Sequence, residues 1–151
     1  MSDDFLVIVP RDPRQVPPTD AQQRVLEALA RIAPNAEEST SEASEVVRFF
    51  DCGSNFERII CPRCSAEVDL EWWQDRMDED STDDGFLLAT YAMPCCGAST
   101  TLHELVYDWP QTFGRFNWEV RNPEIGELTE SNKADLEAAA GMKLVFVRQH
   151  L

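Results

Sequence analysis

Cys61-Pro62-Arg63-Cys64 opens, and Pro94-Cys95-Cys96-Gly97 closes, the segment around which the chain is organised. Two cysteines separated by two residues can curl so that both sulfurs face one ion, with backbone N–H groups turned toward the thiolates. Adjacent residues on a regular strand point to opposite faces, so Cys95 and Cys96 can share an ion only where the chain is irregular. Pro94 ends strand pairing and Gly97 permits a tight turn, which makes a loop the expected conformation there. The pattern predicts one structural Zn2+ held by Cys61, Cys64, Cys95 and Cys96, with Cys52 or His103 able to replace one of the adjacent pair. Four protein ligands leave no open coordination position, so such an ion holds structure and does not activate water.

Other uses of cysteine fit less well. A redox C-x-x-C belongs between a strand and a helix, without two further cysteines waiting downstream. Disulfide pairing sits badly with five cysteines, an odd number, and with an N-terminus, Met1-Ser2-Asp3-Asp4, that is acidic where a secretory signal is basic. No run approaches the roughly 18 apolar residues of a membrane span. A soluble, cytoplasmic protein is expected.

At 151 residues, 43% of them apolar, the chain suffices for one domain with its own core. Its net charge is −15, from 28 acidic and 13 basic residues. Direct nucleic-acid binding needs clustered Lys and Arg to displace counterions, so this balance argues against it. Between Glu67 and Asp84 nine acids face only Arg76, a local charge of −9 + 1 = −8. A chain so charged favours a basic protein surface as its partner.

Outside the clip the pattern is that of an α+β domain, residues 1–151, with a mainly antiparallel sheet, helices on one face, and residues 61–97 inserted as a zinc-ribbon-like lobe. Phe5 to Val9 reads as a buried strand, and Thr19 with Gln22 as a capping box ahead of Val25, Leu26, Leu29 and Ile32 at helical spacing. Asn35 to Ser44 reads as an exposed loop. Glu45–Phe50 and Phe56–Ile60 read as a hairpin, the second strand delivering Cys61. Asp69 caps a helix on which Leu70, Trp73 and Met77 share a face, leaving Trp72 among acids as a candidate partner anchor. An acidic loop to Gly85 then leads into a strand, Phe86–Met93. Its Asp80, Thr82, Asp84 and Gly85 echo an EF-hand, but Tyr91 stands where that loop needs glutamate. Thr101 and Glu104 form a capping box for a helix reaching Val106 or Tyr107. Phe113–Arg121 alternates as a half-exposed strand, Ser131–Ala140 with Gly141 reads as a helix, and Lys143–Arg148 as a last strand.

Catalytic patterns are missing. His103 and His150 are the only histidines, and the chain has no G-x-S-x-G, no H-E-x-x-H and no phosphate-binding glycine loop. A run such as Asp78-Glu79-Asp80 is ordinarily solvated and not a catalytic pair. The chain therefore reads as a non-enzyme. The candidate partner-binding residues are Glu71, Trp72, Asp75, Asp78, Glu79, Asp80, Asp83, Asp84 and, in the Tyr107-Asp108-Trp109-Pro110 turn, Trp109.

Cys61-Pro62-Arg63-Cys64 and Pro94-Cys95-Cys96-Gly97 resemble the knuckles of zinc ribbons, with Met93 in the place of the first cysteine of the second knuckle. In size, acidity and missing chemistry the chain resembles bacterial immunity proteins. That resemblance implies a one-to-one complex in which an acidic surface plugs a basic toxin, often a nuclease. The alternatives are a zinc-stabilised adaptor or regulator of a larger assembly, which could mimic nucleic acid by its charge, and a metal-dependent enzyme whose ion keeps only three protein ligands.

Overall fold

The computed structural model describes residues 3–150; Met1 and Ser2, part of the acidic N-terminal stretch, lie outside them. Its frame is an α+β fold on a four-stranded antiparallel sheet. Strand β1 (Asp4–Pro10) lies between β7 (Thr112–Arg121) and β8 (Leu144–His150), and β2 (Glu38–Phe50) pairs with the far side of β7. Helices α1 (Thr19–Ile32) and α3 (Glu130–Ala140) cover one face. There Leu6 and Ile8 of β1 and Phe116, Trp118 and Val120 of β7 pack against Val25, Leu29 and Leu136, all fully or almost fully buried. The β7 alternation of apolar residues makes that face apolar, but the strand is not half-exposed as expected: Phe113 and Asn117, on its other face, are buried as well.

The other face carries Val7, Val9 and Val147, covered by Phe50 and Cys52. Phe56 packs both there and in a third cluster, which is the core of the lobe that carries the cysteine hooks. That cluster joins Val47 and Phe113 of the main sheet to Ile59 of β3 (Arg58–Ile60), Tyr107 of β6 (Val106–Asp108), Met93 and Leu102. Trp73 and Met77 of α2 (Leu70–Asp80) close over it. Leu70, expected on the same face as these two, is instead 42% exposed. Asp69 caps α2 as expected, its carboxylate accepting from the Glu71 N–H at 2.9 Å.

Several local expectations are corrected. Glu38–Ser44 belongs to β2, not to a loop: its side chains are mostly exposed, but its backbone pairs with β7 from Glu38↔Arg121 to Ala43↔Phe116. Pairing with a well-packed neighbour overrides a polar sequence that has no strand pattern of its own. The expected hairpin between residues 45–50 and 56–60 does not form, because β2 is taken by β7 and β3 pairs with β6. Thr101 and Glu104 bond to each other through their side chains, at 3.3 Å, and only a 3-10 turn, Leu102–Glu104, precedes β6. The Thr19 cap is also absent: Pro18 is the N-cap, and Gln22 reaches the Pro17 carbonyl. Of the expected strand 86–93 only β4 (Tyr91–Ala92) remains, paired with β5 (Ser99–Thr100). Leu88 takes φ 55°, and the Asp80 carboxylate, not a partner strand, binds the N–H groups of Leu88 and Ala89.

Candidate metal centre

Each cysteine hook is the turn of a small hairpin, and the two turns share one backbone pattern. In the first, fed by β3, the Cys61 N–H donates to Ala66 O at 2.8 Å and the Ser65 N–H to Cys61 O at 3.0 Å, with Ser65 at φ 65°. In the second, between β4 and β5, the Met93 N–H donates to Ala98 O at 2.9 Å and the Gly97 N–H to Met93 O at 2.8 Å, with Gly97 at φ 76°. Overlaying the two puts Cys96 on Cys64, Met93 on Cys61 and Cys95 on Arg63. Met93, in the place that Cys61 takes in the first hook, packs in the lobe core at 2% exposed, and Cys95 brings a second sulfur to this hook beside that of Cys96.

The four sulfurs lie within 4.8 Å of one another, close enough to hold a metal ion. Cys64 and Cys95 Sγ are 3.3 Å apart and Cys61 and Cys96 Sγ 3.9 Å, while the Arg63 N–H points at Cys61 Sγ from 3.4 Å. The backbone N–H of Cys64, with that of Arg63, lowers the Cys61 thiol to about 7. Cys95 goes the other way: its hydrogen bond with Cys64, then burial and its other sulfur neighbours, push it up to about 12. Sulfurs packed this closely resist ionising together, and a cation among them removes the conflict. Cys61 is buried, whereas Cys64, Cys95 and Cys96 reach solvent, so the centre sits at the lobe's surface.

Neither alternative ligand joins the cluster. Cys52 is fully buried beneath the main sheet, its Sγ 3.5 Å from Gln111 Oε1, and burial raises its thiol to about 11. His103 is occupied through Nε2 with the Arg11 carbonyl oxygen, 2.8 Å away.

The expected partner-binding residues divide. Glu71, Asp75, Asp78 and Glu79 are exposed on α2, and Asp83 and Asp84 on the loop beyond it. Asp80 is a correction: it is 0% exposed and offers a partner nothing. It accepts from the N–H groups of Leu88 and Ala89, both at 2.8 Å, and from the Tyr91 hydroxyl at 2.9 Å, and so ties the end of α2 to the strand entering the second knuckle. Burial, and then the bond to Asp80, push Tyr91 up to about 12. Trp72 is half-buried against the lobe core, with the Arg76 guanidinium 5.5 Å over its ring. Trp109 is 38% exposed and rims an apolar cavity of about 210 Å3 with Leu6 and Phe146. Trp73 is a core group whose indole N–H donates to the Tyr107 hydroxyl at 3.1 Å.

No family model, curated protein or solved structure matches the chain. The chemistry of the centre rests on its own geometry. No helix among the described residues is long and apolar enough to cross a membrane.

Proposed function

We propose that the protein is a non-enzymatic, zinc-stapled binding module, working in the cytoplasm as an immunity protein that docks its acidic α2 surface on a basic bacterial toxin. The observation that carries this reading is the arrangement of charge on α2. Glu71, Asp75 and Asp78 follow one another at four- and three-residue steps, so they form one exposed stripe with Glu79 beside it. The one cation of the helix, Arg76, is already held by Glu79 at 2.7 Å. Such a stripe speeds encounter with a cationic surface, while an exposed aromatic such as Trp109 adds area that charge does not supply.

Zinc is the ion favoured by an all-thiolate set. Metal–sulfur bonds of about 2.3 Å give a regular tetrahedron with edges of about 3.8 Å, and the measured 3.3 and 3.9 Å fall on either side of that length. Four bound thiolates and one Zn2+ would take the charge from −15 to −15 − 4 + 2 = −17, which suits a basic partner further.

Co-expression with the product of the neighbouring gene, followed by measurement of co-elution and zinc content, tests the reading. One zinc and one tightly bound basic neighbour per chain are expected. In that complex, replacing Glu71, Asp75 and Asp78 by lysine should slow association about tenfold or more at low salt, with the difference shrinking as salt is added. An association rate indifferent to both the substitutions and the salt would remove α2 as the docking face.

A further inference from the structure

Beside the first knuckle, where β1 ends and β7 begins, lies a cleft of about 470 Å3 whose lining includes Gln111 and His103, each with a buried polar atom that has no partner. Gln111 is 7% exposed, and its Oε1 accepts from the Cys52 N–H at 3.2 Å. That bond fixes which way the amide faces, and leaves Nε2 as a buried donor without an acceptor. His103 places Nε2 2.8 Å from the Arg11 carbonyl oxygen. A carbonyl only accepts, so Nε2 carries the proton and Nδ1 is left as a buried lone pair without a donor. Leaving such an atom buried and unpaired is unfavourable. Native proteins normally supply a partner.

We propose that this cleft binds an oxyanion, the carboxylate or phosphate group of a small acidic molecule or of a docked protein. Gln111 donates through Nε2. His103 takes up one proton as the anion enters and donates through Nδ1, its Nε2–H remaining on the Arg11 carbonyl. Arg11 and Arg63 line the same cleft together with Glu104, so a chain of net charge −15 here sets two basic residues against one acid. Leu105 and Val145 supply apolar wall, which weakens the screening of these charges. The charged groups around His103 are Arg11 and Arg63 against Asp12 and Glu104, and Glu104 is already engaged by Arg63 at 3.4 Å. Burial holds His103 below its ordinary pKa in the free protein, which favours the neutral ring. Because the bound form carries the extra proton, affinity falls as pH rises through the pKa of His103 in the complex. Arg63 belongs to the first knuckle, so the cleft adjoins the metal centre, but it lies apart from the acidic face of α2.

The test is a titration of the full-length, metal-loaded protein with inorganic phosphate, with acetate, and with a capped peptide carrying a single glutamate. Each is compared with sodium chloride at equal ionic strength, following the imidazole resonances of His103 against those of His150. The expected result is a saturable shift at His103 with at least one of the three, accompanied by a rise in its pKa. Tighter binding of the peptide than of acetate assigns the anion to a docked protein; equal or tighter binding of acetate or phosphate assigns it to a free small molecule. Gln111→Glu keeps an oxygen for the Cys52 N–H but puts a negative charge where the anion sits, and should abolish the shift. Arg11→Ala removes an exposed side chain that the core does not need, and should weaken binding about tenfold; it decides the matter if Gln111→Glu fails to fold. No saturable shift with any of the three probes, or the same response in Arg11→Ala as in the parent, overturns the proposal and leaves the cleft to water.

Discussion

Asp80 and Met93 are the two residues whose neighbours in sequence most disguise what they do. Asp80 ends an acidic run, yet it is the one acid of α2 that is fully buried, bound by two backbone N–H groups and a phenol. Asp80→Asn turns one acceptor oxygen into a donor facing other donors, and should cost about 1–3 kcal/mol in urea unfolding. Asp78→Asn, two residues earlier and exposed, should cost almost nothing; equal effects would mean that Asp80 is not the tie it appears in the hydrogen bonding. Met93 holds the position that Cys61 holds in the other knuckle. Cys95→Ser alone should therefore weaken metal retention, and adding Met93→Cys should restore one ion per chain by returning the second knuckle to the spacing of the first. The double variant should still be less stable than the parent, by about 1 kcal/mol or more, because Met93 fills the lobe core. Metal stoichiometry after dialysis against a weak chelator reads both steps, and failure of the second substitution to recover the ion would show that the two turns are not equivalent.

At the scale of elements, the join between lobe and sheet runs through the tip of a tight turn. The Thr82 N–H donates to Gly85 O at 2.6 Å, and the Phe86 N–H reaches Val47 O on β2 at 2.9 Å. A Cβ on Gly85 would stand 2.4 Å from Val47 O and 2.9 Å from Val46 Cβ, both parts of a paired strand that cannot easily move. Gly85→Ala should thus destabilise the protein by about 1–3 kcal/mol, with fast amide exchange at Phe86 as the local signature. Slow exchange there in the variant would mean that the strand accommodates the methyl group. Gly126, with nothing within 4 Å of its own added Cβ, is the control position.

For the molecule as a whole, metal and fold should be one cooperative unit. The lobe core contains Val47 and Phe113 of the main sheet, so loosening the knuckles exposes apolar groups that also support β2 and β7. Cys61→Ser or Cys64→Ser should release the ion and lower the single melting transition of the entire domain. Two separated transitions, with the upper one unmoved, would count against that coupling. Chelated but folded protein should expose three thiols to a disulfide reagent quickly and Cys61 more slowly, while Cys52 reacts only on unfolding. Cys52 carries its own pH signature. Its folded pKa of about 11 lies above the ordinary 9, so its contribution to stability is whole below pH 9 and is lost as pH rises through about 11.

The amino-acid sequence by itself determined what local chemistry decides: the two cysteine hooks, the Asp69 cap, the alternating apolar residues of β7, the α3 stop at Gly141, and the strongly acidic charge. These are legible because spacing or periodicity states them within a few residues. The tertiary structure decided what depends on a distant partner. Glu38–Ser44 became a strand because β7 offered an edge, β3 left its expected hairpin for β6, and Asp80 turned inward because the Leu88–Tyr91 segment presented three donors to it. The unpaired atoms of Gln111 and His103 share a cleft for the same reason: residues eight apart in sequence, flanking β6, meet the end of β1 only after the sheet has formed. Hydrogen bonds between remote segments leave no periodic trace in the chain, and that is the physical limit on what could be read from it.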